Sequence, residues 1–214
     1  MIGSVGIPTA GLSSAGNITF GFATPTGLSN AVLTVGVTLF DGDAAAYVVG
    51  VTYGGVAMAL KRRSGYTGGA SWPQRTEVWY LPFPVAGAAN VVVTLSVNKY
   101  AQAIASCFSG VATGSPFTLD AEYFNGSVTV ASTIGNLVID FQACNDYNNT
   151  QPTVSVSGGN TLLINQSANF IGFGHSYKAG AASVTTSWSA STGGTWAGIA
   201  LSLRPSGGTQ IIMC

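Results

Sequence analysis

The chain has 214 residues, of which only 7% are charged, and seven Lys and Arg balance seven Asp and Glu, so there is no basic field to draw it to nucleic acid or anionic lipid. Hydrophobic residues make up 47%, too many for a disordered chain, yet Gly, Ser and Thr break every run well short of the roughly 20 apolar residues that span a bilayer. The composition describes a folded body with a sizeable core that engages neither nucleic acid nor membrane.

Residues 1–14, opening Met1-Ile2-Gly3-Ser4-Val5-Gly6, have no basic stretch followed by a continuous apolar one. They read as an N-terminal arm rather than a secretory signal. From there the pattern repeats every two residues. Asn17–Phe22 is the first strand candidate. In Ala31–Phe40, Leu33, Val35, Val37 and Leu39 point one way and Thr34, Gly36 and Thr38 the other. Val48–Tyr53, Val56–Lys61 and Thr76–Leu81 follow, then Val91–Val97, with three valines and Leu95 on one face, and Ala101–Ser109. Ser127–Ser132, Leu137–Phe141, Thr161–Asn165 and Asn169–Tyr177 continue the series. It closes with Val184, Thr186 and Trp188 against serines and threonines, and Ile199, Leu201 and Leu203 against Ala200, Ser202 and Arg204. The cleanly alternating segments are read as strands with one wet side, as antiparallel sheets allow. Gly54-Gly55, Gly68-Gly69, Gly158-Gly159-Asn160 and Gly193-Gly194 mark turns between strands.

No amphipathic helix of useful length is present. About a dozen short strands predict an all-β fold: an antiparallel two-sheet β-sandwich with jelly-roll-like connections over residues 15–205. Beyond Arg204-Pro205, residues 206–214 form a tail, with Ser206-Gly207-Gly208 as a joint and Ile211-Ile212-Met213-Cys214 as an apolar tip. That tip either folds back on its own sandwich or docks on a neighbour.

The chemistry-bearing residues are few. His175 is the only histidine and shares a strand face with Ile171, Phe173 and Tyr177, which points to packing or a hydrogen bond. No G-x-S-x-G elbow, Walker A loop or H-E-x-x-H occurs, and no catalytic, cofactor or metal residue is assigned. Asp41-Gly42-Asp43 resembles part of a calcium loop, but an ion wanting six to eight oxygens would need distant partners, and a tight turn accounts for it. Asp120 and Glu122 read as a solvated edge. Lys61, Arg62 and Arg63, with Arg75 nearby, form the one positive cluster. It is either a solvated strand end or a contact for an acidic patch on a neighbouring subunit, where Arg62 and Arg63 suit bidentate carboxylate binding. Trp79 and Trp188 lie in strands and read as core, whereas Tyr66 and Trp72, in a Gly-rich loop, are candidates for an exposed glycan platform. Cys107, Cys144 and Cys214 are an odd set without C-x-x-C spacing, and no intrachain disulfide is expected.

Five runs carry a resemblance. They are Val51-Thr52-Tyr53-Gly54-Gly55-Val56-Ala57-Met58, Glu77-Val78-Trp79-Tyr80-Leu81-Pro82, Phe108-Ser109-Gly110-Val111, Gly135-Asn136-Leu137-Val138-Ile139-Asp140 and Trp196-Ala197-Gly198-Ile199-Ala200-Leu201-Ser202-Leu203-Arg204-Pro205. In this order they resemble a poorly characterised β-sandwich domain that recurs in tailed-phage structural proteins and bacterial surface proteins. No catalytic residues come with the resemblance. It implies a virion or surface role, most sharply a phage capsid decoration (cement) protein made in the host cytoplasm. Its partners would be copies of itself, trimeric by analogy with jelly-roll virion proteins, and capsid or tail proteins. The alternative it leaves open is a carbohydrate-binding adsorption module of a phage tail or cell surface, with surface glycans as ligands.

Overall fold

The computed structural model describes residues 9–13, 16–40, 46–67, 73–146 and 150–207. Among them are 17 strands and no helix. The first nine are β1 (Thr9–Ser13), β2 (Ile18–Thr24), β3 (Val32–Phe40), β4 (Val48–Tyr53), β5 (Val56–Ala57), β6 (Ala59–Arg63), β7 (Gln74–Pro82), β8 (Gly87–Leu95) and β9 (Tyr100–Phe108). The rest are β10 (Phe117–Tyr123), β11 (Ser127–Ala131), β12 (Leu137–Asn145), β13 (Val154–Ser157), β14 (Thr161–Ala168), β15 (Ile171–Ala179), β16 (Ser183–Ala190) and β17 (Thr195–Leu203).

Every pairing is antiparallel, and the strands make four sheets: sheet I (β1-β9-β3-β7-β6), sheet II (β2-β8-β4-β5), sheet III (β10-β17-β12-β15-β14) and sheet IV (β11-β16-β13). In the first half the pairs nest: β1 with β9, β2 with β8, β3 with β7, and β4 with β5. This is a long hairpin rolled up so that successive pairs fall alternately in two sheets, the jelly-roll connection. At its tip Gly54 and Gly55, with φ of 55° and 82°, supply the left-handed pair that a two-residue hairpin turn demands. The second half nests the same way, β10 with β17, β11 with β16 and β12 with β15.

The all-β antiparallel architecture is therefore the one the alternation predicts, with more strands and twice as many sheets. Sheets II and I enclose the core of the first roll, built on Leu33, Val35, Val37, Val51, Tyr53, Val91, Val93 and Cys107. Sheets III and IV enclose the smaller cores of the second, around Tyr123, Val138 and Val184 and around Cys144, Val154 and Trp188. A further core lies where sheet I packs on sheet III: Ile104 and Phe108 from the first roll meet Ile139, Phe141, Phe173 and Ile199 from the second, all fully buried. Removing side chains of this size from water contributes roughly 1.5–3 kcal/mol each.

This layering corrects the expectation of one wet side per strand. The alternation holds for β8 and β16, where Thr94, Ser183, Thr185 and Ser189 face outward, but β3, β12 and β17 are buried on both faces apart from the end of β17. Thr34, Gly36 and Thr38 are covered by the second roll, not by water. The expected strand Val56–Lys61 is broken at Met58 into β5, which pairs in sheet II, and β6, which pairs in sheet I. Within the expected N-terminal arm, Thr9–Ser13 forms the edge strand of sheet I.

Candidate functional site

Lys61, Arg62 and Arg63 end β6, the outer strand of sheet I, and next to it runs β10, the outer strand of sheet III, carrying Asp120 and Glu122. Lys61 Nζ lies 2.7 Å from Asp120 Oδ2. Arg62 reaches Asp120 Oδ1 at 2.5 Å through Nη1 and Glu122 Oε1 at 3.2 Å through Nη2. The Gly65 N–H donates to Glu122 Oε2 at 2.8 Å, and the Lys61 ammonium sits 5.6 Å from the centre of the Phe117 ring. Burial works to raise the Asp120 carboxyl, but its hydrogen bonds and charge pairs with Lys61 and Arg62 outweigh that and hold it below the ordinary value.

Arg63 turns the other way. Its Nη2 donates to Glu77 Oε2 at 3.2 Å and to the Val48 carbonyl at 3.1 Å, while Nε lies 2.9 Å from Glu77 Oε1. The Glu77 side chain is fully buried and also accepts from the Val48 N–H at 3.0 Å. The guanidinium covers the Tyr47 ring at 4.9 Å. The cluster proposed for contact with a neighbouring subunit thus finds its carboxylates inside its own chain. Lys61 and Arg62 clamp the two rolls at one seam, and Arg63 ties sheet I to β4 of sheet II.

Large apolar side chains also face outward along this seam. Leu60, Leu119 and Phe124 are exposed. A groove of about 380 Å³ opens beside Phe124, lined by residues 121–125 and 127–129; Glu122, Tyr123, Phe124, Asn125, Ser127 and Thr129 supply its polar and aromatic groups. A neutralised ion-pair strip edged by exposed hydrophobics can receive a protein surface. The adjoining groove can receive a small polar ligand, with Phe124 as a stacking face and the amide and hydroxyls as hydrogen-bonding groups.

Tyr66 is half-buried, its hydroxyl donates to the Ala46 carbonyl, and one ring face is covered by the Arg75 guanidinium at 3.7 Å. Trp72, Asp41, Asp43, Ile211, Ile212, Met213 and Cys214 lie outside the described residues. Trp79 and Trp188 are buried, as their strand positions indicate.

His175 is fully buried at the junction of sheets I and III. Its ring stacks on Phe141 with centroids 4.0 Å apart and meets Phe108 edge-on. A carbonyl can only accept, so Nδ1 carries the proton and donates to the Asp140 carbonyl at 2.6 Å, leaving Nε2 to accept from Ser106 Oγ at 2.7 Å. The Asp140 carboxylate points to the opposite face of the sheet. There it accepts from Ser176 N at 3.0 Å, Ser176 Oγ at 2.6 Å and Trp188 Nε1 at 2.8 Å. Although Ser, His and Asp meet here, the carboxylate does not orient the imidazole; the group is a packed polar link between layers. Burial pushes His175 down to about 4 and raises the Asp140 carboxyl above its usual value. Cys107 and Cys144 are free thiols in the cores of different rolls, each pushed up to about 12, chiefly by burial.

Three participants escaped the sequence reading. Asp120 and Glu122 were assigned to a solvated edge, yet in a chain with so few charges two short clusters of opposite sign are a signal for pairing. Glu77, the one charge in the run Thr76-Glu77-Val78-Trp79, carried the same kind of signal. Comparison with protein-family models, curated proteins and solved structures finds no match.

Proposed function

We propose that the protein is a non-enzymatic structural component of a phage particle, a capsid decoration or cement protein that acts through self-association and lattice contacts at the virion surface. The observation that carries the reading is the use of charge along the β6–β10 seam. Lys61, Arg62 and Arg63 are spent on Asp120, Glu122 and Glu77 within the chain, and the surface beside them presents Leu60, Leu119 and Phe124. A surface with little net charge opposes close packing of copies only weakly, and apolar side chains around paired charges suit contacts repeated over a lattice. The resemblance to phage structural domains points the same way. Quantitative mass spectrometry of purified particles tests it: a fixed copy number per particle, reduced by Leu119→Asp, is expected. Absence from washed particles refutes it. A trimer, the state favoured by analogy with jelly-roll virion proteins, is read from the native mass.

The groove beside Phe124 favours a second reading, a carbohydrate-binding adsorption module. Glycan-array binding lost in Phe124→Ala, or in Trp72→Ala as the sequence suggested, supports it, and an empty array rejects it.

A further inference from the structure

Sheets I and III of the two rolls repeat each other strand for strand. Sheet I runs β1-β9-β3-β7-β6 and sheet III runs β10-β17-β12-β15-β14, so β1 matches β10, β9 matches β17, β3 matches β12, β7 matches β15 and β6 matches β14. The matched central strands have nine residues each. Their registers agree as well: Val32 pairs with Phe108 and Pro82, and its counterpart Leu137 pairs with Leu203 and Ala179.

The packing of sheet I on sheet III has the same order. β3 lies over its own counterpart β12, while β7 lies over β17 and β9 over β15. At the margins β6 meets β10 through the ion pairs, and β1 meets β14. These off-centre contacts come in pairs with the roles exchanged, the relation a twofold axis produces, and β7 touches β12 besides. A side-chain hydrogen bond crosses each of the two twin contacts, with donors on non-equivalent strands: Thr76 of β7 donates to the Ala197 carbonyl of β17 at 2.9 Å, and Gln102 of β9 donates to the Ile171 carbonyl of β15 at 2.8 Å.

We infer that the chain is a covalently joined pseudo-homodimer, whose sheet I and sheet III faces form a self-complementary interface built to receive a second roll of the same kind, and that Gly36 and Phe141 decide which roll pairs with which. Gly36 is the fifth residue of β3 and Phe141 the fifth of β12, so they are counterparts, and they meet on the axis. A Cβ on Gly36 would lie 2.1 Å from Phe141 Cδ1, well inside contact distance. Two first rolls would set Gly against Gly and leave a void; two second rolls would drive Phe into Phe. Only the mixed pair fills the space, which is specificity by exclusion of the alternatives.

The test is an exchange across the axis in the full chain. Phe141→Gly opens a cavity and lowers the melting temperature by about 10 °C, and Gly36→Phe overpacks the junction and lowers it further or prevents folding. Because the positions are related by the axis, the double exchange Gly36→Phe/Phe141→Gly should recover at least half of the loss, or restore soluble folded protein where the single variant has none. A double variant no better than the worse single one overturns the inference. A second measurement uses a protease site inserted between Thr113 and Gly114, in the segment joining the rolls. After cleavage the halves should co-elute at the mass of the intact chain, and separation under native conditions rejects a self-sufficient interface.

Discussion

Lowering the pH should destabilise this protein at His175. Its ring is fully buried against Phe141 and Phe108, with both nitrogens already used. Burial lowers its pKa from 6.5 to about 4. The folded state therefore binds this proton less readily than the unfolded chain. The contribution to stability is complete above pH 6.5, is lost as the pH falls, and levels off near pH 4. At 1.36 kcal/mol per unit, the full effect is roughly 3 kcal/mol, of which about 2.5 kcal/mol falls between pH 7.5 and 4.5. Asp140 works in the opposite sense: its pKa is raised by burial, so its contribution is present below pH 3.8 and is lost as the pH rises through the folded value. Comparison with His175→Gln separates the two, because Asp140 titrates in both proteins. Urea unfolding of each at pH 7.5 and 4.5 should show the wild-type protein losing about 2.5 kcal/mol more than the variant. A difference that stays within about 0.5 kcal/mol across this range would refute the burial argument.

Three further outcomes are expected. Glu77→Ala leaves Arg63 and the Val48 N–H without their buried acceptor and should cost about 3 kcal/mol in urea unfolding, whereas Asp120→Asn, at the more exposed seam, should cost less than about 1 kcal/mol. Gly174→Ala places a Cβ 2.3 Å from the Trp188 ring and should cost roughly 1–3 kcal/mol by overpacking, read from the melting temperature together with a change in Trp fluorescence. In the native protein at pH 8, Cys107 and Cys144 should resist thiol reagents because burial holds both as neutral thiols, and denaturation without reductant should release three titratable thiols.

The sequence by itself determined the all-β class, most strand positions and the inward faces of β8 and β16, because side chains alternate across a strand and water sorts them face by face. It also placed Trp79 and Trp188 in the core, since they lie within strands, and His175 on a packing face, since it shares its strand parity with Ile171, Phe173 and Tyr177. The doubling of the fold was invisible, because a jelly-roll repeat is a repeat of pairings between distant strands, and matched strands need share only their pattern of burial. Val32 to Phe40 and Leu137 to Asn145 occupy equivalent places with different residues at all nine positions. The second covered face of β3 was hidden for the same reason. Thr34, Gly36 and Thr38 read as wet because small and hydroxyl side chains suit either water or a tightly packed junction, and only the arrival of the second roll decides between them. The Lys61–Arg63 cluster showed its charge in the sequence but not its partners. Those come from β10 and β7, brought beside β6 by sheet pairing and layer packing, and an ion pair depends on distance in space rather than along the chain.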